Sequence, residues 1–214
     1  MRRFQIRALL RILITPLPMM LWAQNPPQKT GISLSKSEAR SNTSRAEPGA
    51  INNGIYHNQS FGFSYKLPYG WVDRTQEMQD DSSAASKSVL LLAIFERPPE
   101  ATGDTINSAV VIAAEPLSAY SGVKTASDYF APLTELATAK GFDVANQPYE
   151  FAVGSVPLVR ADFSKPRGTL MMHQTSLVML QKSYALSFTF IGSSDDEVSA
   201  LIEKLIFRAH KRPQ

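Results

Sequence analysis

Cysteine is absent from all 214 residues. Its absence excludes structural disulfides, thiolate metal sites, a cysteine nucleophile and a lipid-modified cysteine at a mature N-terminus. Histidine is scarce. His57, His173 and His210 are the full set, and none has another His, Asp or Glu at a spacing that places both on one face of an element, as a metal would need. The sequence also lacks a Gly-x-Ser-x-Gly elbow, a phosphate-cradling glycine loop, a His-Glu-x-x-His pair and an Asp-x-Asp-x-Asp-Gly calcium loop. No catalytic, cofactor-binding or metal-ligating residue is therefore assigned from sequence, and no cofactor is expected.

A strong charge of either sign is missing as well. The formal charge is +3, but four of the 22 basic side chains, Arg2, Arg3, Arg7 and Arg11, lie in the first 23 residues, which hold no acid. Without that segment 18 basic side chains face 19 acidic ones, a net charge of −1. Nothing in that balance calls for nucleic acid or an acidic membrane as partner. Long apolar runs are few too. Ala8–Trp22 is mostly apolar, but it falls short of the roughly 20 residues of a spanning helix, and Pro16 and Pro18 interrupt it.

Residues 1–23 instead have the pattern of a cleavable secretory signal peptide. Arg2, Arg3 and Arg7 make the positive n-region, and Leu21-Trp22-Ala23 puts a small residue at the cleavage position. No stable membrane span is expected after cleavage. Residues 24–53 are rich in Gln, Asn, Pro, Ser and charge, with Ile32, Leu34 and Ile51 too isolated to bury a face. They are expected to form a disordered polar linker. Asn42-Thr43-Ser44 and Asn58-Gln59-Ser60 match the glycosylation acceptor pattern, which is short enough to arise by chance.

The folded part opens with Tyr56–Trp71. Phe61, Phe63 and Tyr65 alternate with Gly62, Ser64 and Lys66, the period of a strand with one aromatic face. Pro68 stops it, and Tyr69-Gly70 permits a turn. Thr75–Ser88 is polar and acidic and reads as a long exposed loop. Val89–Phe95 and Ile106–Ala114 are nearly continuous apolar strands, the pattern of strands covered on both faces. Thr125-Ala126-Ser127-Asp128 starts a helix that Tyr129, Leu133, Leu136 and Lys140 extend, and Gly141 ends.

Two hairpins follow. Tyr149–Val153 and Val156–Phe163 meet at Gly154-Ser155, and Thr169–Leu180 and Ser183–Ile191 meet around Gln181-Lys182. A last helix begins at the Ser194 cap, with Asp195, Asp196 and Glu197 in its first turn. Val198, Leu201, Ile202, Leu205 and Ile206 are its expected buried stripe. The predicted architecture is α+β: an α/β/α sandwich about a mainly antiparallel central sheet of about six or seven strands, with helices near 126–140 and 195–207. One domain is expected over 54–208, followed by a basic tail, 209–214.

The Phe61-Gly62-Phe63-Ser64 strand, the Pro68-Tyr69-Gly70-Trp71 turn, and the Tyr184–Phe190 strand leading into a Ser-Asp-Asp-capped helix together resemble the PsbP-like fold family. The likeness is greatest to its small exported bacterial members and spans Gly54–Phe207. The resemblance implies a binding or accessory module, of the kind that stabilises a larger complex, rather than a catalytic scaffold. It carries over no functional residue.

The remaining candidates have ordinary explanations. Asp80-Asp81 and Asp195-Asp196-Glu197 read as solvated or helix-capping charge. Arg167-Gly168 is a turn with one cation. Met171, Met172 and Met179 lie on one strand and suit packing as well as an adaptable surface. The expected function is an exported, secreted or periplasmic, non-catalytic module that contacts a protein partner in the envelope or outside the cell, the partner itself being unknown. The alternative is a small-ligand binder or enzyme whose site joins sequence-distant residues, such as His173 with a carboxylate. A purely structural envelope protein is the third reading.

Overall fold

The computed structural model describes residues 46–82, 88–101 and 103–208. The expected signal segment, most of the expected linker, the Asn42 triplet, the basic tail and His210 lie outside the described residues. Three short strands come first: β1 (Ala50–Asn52), β2 (Ile55–Asn58) and β3 (Phe63–Lys66). β4 (Val72–Asp73) and helix α1 (Thr75–Ser82) precede the apolar strands β5 (Val89–Phe95) and β6 (Ala109–Pro116). Helix α2 (Phe130–Ala139) and β7 (Asp143–Val144) follow. The hairpin series is β8 (Tyr149–Val153), β9 (Val156–Arg167), β10 (Leu170–Gln181) and β11 (Tyr184–Gly192). Helix α3 (Asp195–Ile202) and β12 (Leu205–Phe207) close the chain.

Among the described residues the main sheet has eight strands, all paired antiparallel, in the order β4-β5-β6-β11-β10-β9-β7, with β8 sharing the outer edge of β9. That is one or two more strands than the pattern predicts, because the two-residue pieces β4 and β7 extend its edges. A second sheet, β1-β2-β3-β12, lies beside it. The expected α+β sandwich is therefore present, but the layer that carries α3 is shared between that helix and the small sheet.

Alternation along the strands divides the core in two. On one face the small sheet and α3 cover the main sheet. Tyr56, Phe63 and Tyr65 meet Leu92, Ile94, Ile112, Leu177, Phe188 and Phe190, and Val198, Leu201 and Ile202 come from the helix. The Phe63 and Phe188 rings meet edge to face at 5.2 Å, the arrangement favoured by aromatic quadrupoles. On the other face α2 and its lead-in cover Leu90, Ala93, Phe95, Phe163, Met172 and Val178. An all-apolar strand such as Val89–Phe95 is what two covered faces require.

Four local expectations change. Thr75–Ser82 is helix rather than exposed loop: Asp73 Oδ1 accepts from Thr75 N and Thr75 Oγ1, which satisfies one orphan backbone donor of the first turn, and Met78 packs on the second core. The middle helix runs only from Phe130 to Ala139. The Thr125–Asp128 box does form, with Asp128 Oδ2 accepting from Thr125 N at 2.8 Å, but it caps a lead-in turn.

The last helix stops at Ile202, and Leu205–Phe207 pairs with β3 instead of continuing it. Strand alternation keeps Leu205 buried and turns Ile206 outward, 57% exposed, so Ile206 leaves the expected buried stripe. Residues 46–53, counted with the linker by composition, include β1 and a turn at Asn53-Gly54. Both turn residues have positive φ, 50° and 71°, the two-residue hairpin geometry that Asn-Gly favours.

The residues before β1 form a strap. Ala46 N donates to Tyr184 Oη, Gly49 N donates to Tyr56 Oη, and Asn58 Nδ2 donates to Glu47 O. A Cβ on Gly49 would stand 2.3 Å from His57 O, so only glycine passes there. Asn58 is fully buried and also donates to Tyr56 Oη, while its Oδ1 accepts from Phe61 N. Its amide belongs to the strap, and the Asn58 triplet is a chance match to the glycosylation pattern.

Candidate functional site

The cross-strand register brings together residues that are far apart in sequence. On the face of the main sheet that the small sheet covers, successive rows run from the open edge at β7 and β8 towards the core. One row sets Asp143 opposite Ser164, Ser164 opposite His173, and His173 opposite Gly192. The next sets Asp162 opposite Thr175, and a third sets Tyr149 opposite Arg160 and Arg160 opposite Leu177. The rows become apolar only further in, so the edge of this face is polar and aromatic.

Arg160 and Asp162 are its centre. Arg160 Nε donates to Asp162 Oδ1 at 2.8 Å, with each side chain 16% exposed. The guanidinium lies over the Tyr149 ring at 5.9 Å and the Phe151 ring at 5.2 Å. Such stacking holds a cation in place and adds attraction that grows with desolvation. Asp162 also accepts from Asn146 Nδ2 at 2.7 Å, from Thr175 Oγ1 at 2.5 Å and from Tyr149 Oη at 3.2 Å. Burial acts to raise the Asp162 pKa, but the donors Asn146, Thr175 and Arg160 outweigh it and hold the carboxyl below its ordinary value.

His173 and Asp195 meet beside this cluster. The N-terminus of α3 crosses β10, and His173 Nδ1 lies 2.8 Å from Asp195 Oδ1, the carboxylate being mostly exposed. The rest of the acidic run caps the helix. Ser194 Oγ accepts from Glu197 N, and the Glu197 carboxyl accepts from Ser193 N, Ser193 Oγ and Ser108 Oγ. Burial raises the Glu197 pKa, and the Ser108 and Ser193 donors more than reverse it, leaving it low.

One ionisable pair lies apart, on the other face. Glu115 points into the second core, only 7% exposed, hydrogen-bonded to the Tyr129 phenol. Burial pushes its carboxyl up to about 7. Tyr129 is raised as well, by burial first and then by the charge of Glu115, and its ring meets Tyr120 edge to face.

Of the residues singled out in the sequence, the structure joins His173 with Asp195 and leaves the rest apart. His57 lies on the outer side of the small sheet. Asp80 and Asp81 fall in the last turn of α1, and Arg167-Gly168 forms the β9–β10 turn, where Gly168 has φ 62°. Met172 is buried in the second core, Met179 is half-buried against the first, and Met171 is exposed. Sequence reading missed Arg160 and Asp162, although a signal existed. They share parity with buried Leu158, and two opposite charges on the core-facing side of a strand must find partners there.

Chemically, this arrangement suits presentation rather than proton transfer. Asp162 has its lone pairs occupied by four different donors and a lowered pKa, which makes it a poor base. Glu115 has a pKa suited to acid–base work but is sealed beneath Tyr129. Among the described residues no three His, Asp or Glu side chains converge as a metal site, and no helix is long and apolar enough to cross a membrane.

The fold defines the class as an antiparallel α+β sandwich. No protein-family model matches the chain, and no curated protein matches it. Among solved structures it is similar to the PsbP protein of Synechocystis, CyanoP, at 13% identity and a TM-score of 0.48, covering 76% of this chain and 98% of that one. It is also similar to LpqN of Mycobacterium tuberculosis, described as involved in cell envelope biogenesis, at 12% identity and a TM-score of 0.36, over 75% of this chain and 81% of that one. A Pseudomonas aeruginosa protein of unknown function is similar at 15% identity and a TM-score of 0.36, over 68% and 92% of the two chains. A PsbP protein, of the family that the sequence resembles, is among these structures.

Proposed function

We propose that this chain is an exported, non-catalytic binding module that acts through protein contacts in the cell envelope or outside the cell. One observation carries the reading. One strand in from the edge of the main sheet Arg160 lies over the Tyr149 and Phe151 rings and is fixed by Asp162, with Tyr149 itself 41% exposed. Tyrosine and arginine held rigidly at a surface are the residue types that carry interface energy, because little side-chain entropy is left to lose on docking. Asp162 and Glu115, by contrast, are saturated or sealed as acids and bases. Export rests on the arginine-rich, apolar start of the sequence, and a protein rather than nucleic acid fits the near-neutral remainder of the chain.

The test is crosslinking of the tagged full chain in the exporting cell, followed by identification of retained proteins and fractionation of the cell. The expected result is one or two stoichiometric envelope or extracellular proteins, retained less well by Arg160→Ala and Tyr149→Ala. A cytoplasmic location, or a folded exported chain that retains nothing, would overturn it.

The His173–Asp195 contact is the observation that favours the alternative of a ligand site or enzyme. That reading requires His173→Ala to abolish a small-molecule thermal shift or a turnover that wild type displays.

A further inference from the structure

The second core is closed by a stretch with little regular structure. After β6 ends at Pro116, one short helical turn (Leu117–Ala119) and an irregular run to Tyr129 lead into α2. Leu117, Tyr120, Val123, Ala126 and Tyr129 all pack onto the core. The near end is fixed to the sheet, since Leu117 N donates to Ser183 O at 2.9 Å. Past it, the backbone bonds of the run among the described residues are local: Tyr120 N donates to Leu117 O, and Lys124 N and Thr125 N donate to Asp128 Oδ2. The far end of α2 is clamped, with Lys165 Nζ donating to Lys140 O at 2.6 Å and lying over the Phe142 ring. Between the two anchors Gly122 has φ 101° and open space where a Cβ would stand, so the backbone there is free to turn.

Glu115 lies beneath this run. The Tyr129 phenol is hydrogen-bonded to its carboxyl, the one polar side-chain link from residues 118–129 to the sheet among the described residues. No cation answers the carboxyl. β5 is apolar throughout, Ala185 stands opposite on β11, and Tyr184 turns to the first core. α1 adds Met78 to the second core, while its Glu77 is exposed and paired with Arg74. The run and α2 bring Tyr120, with Lys124, Asp128 and Glu135 all exposed. Lys182 is exposed at the β10–β11 turn and donates to Ser60 O. Among the described residues the ion pairs are Arg74 with Glu77 and Glu100, Arg160 with Asp162, and His173 with Asp195, and Glu115 is in none. An ionised carboxylate here has one hydrogen bond and no counter-charge, a state that water would relieve.

We propose that residues 118–129 form a lid that opens when Glu115 ionises, lifting about Gly122, withdrawing Tyr129 and baring the second core while the main sheet and the first core stay folded. The device is independent of which partner the module contacts. Its pH dependence follows from the solvation of one group. Closed, burial holds the Glu115 carboxyl at about 7; open, it returns to 4.5. The closed form therefore keeps the proton, and the opening constant rises by up to about tenfold per pH unit between these values and levels off above them.

The absence of native cysteine allows a direct test on the full chain. Ala185→Cys places a thiol in the second core opposite Glu115, and Ala114→Cys places one in the first core, which only full unfolding exposes. Labelling by a methanethiosulfonate reagent is followed from pH 5 to 8, each rate divided by that of an unstructured peptide thiol at the same pH. Position 185 is expected to label faster than position 114. Its opening constant should rise roughly 70-fold between pH 5 and 8, most of it by pH 7, and Glu115→Gln should abolish the rise. Hydrogen exchange of the chain without added cysteine, comparing residues 118–133 with β3, gives the same comparison should a thiol disturb packing. Equal opening at the two positions, or equal protection of the two segments, overturns the lid, since the core would then be bared only by complete unfolding. Opening at 185 that ignores pH, or that rises as steeply in Glu115→Gln, overturns the role of Glu115 and with it the proposal.

Discussion

Glu115→Gln separates burial from charge at one carboxyl. In the folded chain Glu115 pairs with Ala185 of β11 and is buried, hydrogen-bonded to Tyr129. Its pKa stands at about 7 against 4.5 for the free group, with burial the main cause and the Tyr129 hydrogen bond pulling the other way. A folded pKa above the unfolded one means that the fold accommodates the protonated acid. The stability from this group is complete below pH 4.5, declines as pH rises towards 7, and is gone above it. At about 1.36 kcal/mol per pH unit, the gap sets that loss at about 3 kcal/mol.

Glutamine has the same shape, still accepts from the Tyr129 hydroxyl, and carries no charge at any pH. Glu115→Gln should therefore match wild type near pH 4.5 and exceed it by about 3 kcal/mol at pH 8, roughly 6–12 °C in melting temperature for a chain of this size. Urea titrations followed by far-ultraviolet circular dichroism at several pH values measure the difference directly. Asp128, Asp162 and Glu197, whose folded pKa values are lowered, lose their contribution only as pH falls below their unfolded values. They are common to both proteins and cancel. A stability difference that is flat between pH 4.5 and 8, or a wild type more stable at pH 8, would refute the reasoning. Tyr129→Phe sharpens the test: it removes the one interaction that lowers the Glu115 pKa, so its destabilisation should grow as pH rises.

Other expectations follow from single contacts. Asp162→Ala strips a half-buried guanidinium of its counter-charge and leaves Thr175 and Asn146 without their acceptor, which should cost about 2–3 kcal/mol by urea denaturation; a value near zero would mean that the cluster is solvated. Ser194→Ala removes the acceptor for Glu197 N at the start of α3 and should cost about 1 kcal/mol, with Ser194→Asp restoring most of it. Phe63→Ala empties the centre of a ring cluster that includes Tyr56, Phe188 and Phe207, and should cost about 3–5 kcal/mol in a thermal or chemical melt.

Periodicity carried much of the fold. The alternation of Phe63 and Tyr65 and of Tyr184 to Phe190 placed two strands with their buried faces correctly assigned, while Phe61 is buried but lies in the turn before β3; the Ser194 cap placed the start of α3. Where the reading went astray, two periods competed. Val198 to Ile206 fits a helical stripe, yet Leu205 and Phe207 also fit strand alternation, and pairing with β3 decides for the strand. Asn53-Gly54 between short β-prone stretches was a legible hairpin signal, obscured by the polar composition on its N-terminal side. Thr75–Ser82 is polar enough to read as loop, and its helix depends on the Asp73 cap.

The candidate site shows why assembly resists sequence reading. Parity reveals that Leu158, Arg160 and Asp162 share a face, and physical chemistry then requires partners for the two charges. Which residues answer is set by register alone: Thr175 arrives because β10 pairs with β9, and Tyr149 and Asn146 arrive because β8 and β7 both dock on its outer edge. No periodicity encodes that register. The same limit hides Glu115, whose strand looks finished at Pro116 until the irregular stretch before α2 folds back and seals it. Tyr69 is the inverse case. The sequence places it in the turn between two strands, but only the packed structure separates it from Trp71, two residues on, whose ring the core takes up while that of Tyr69 stays in water.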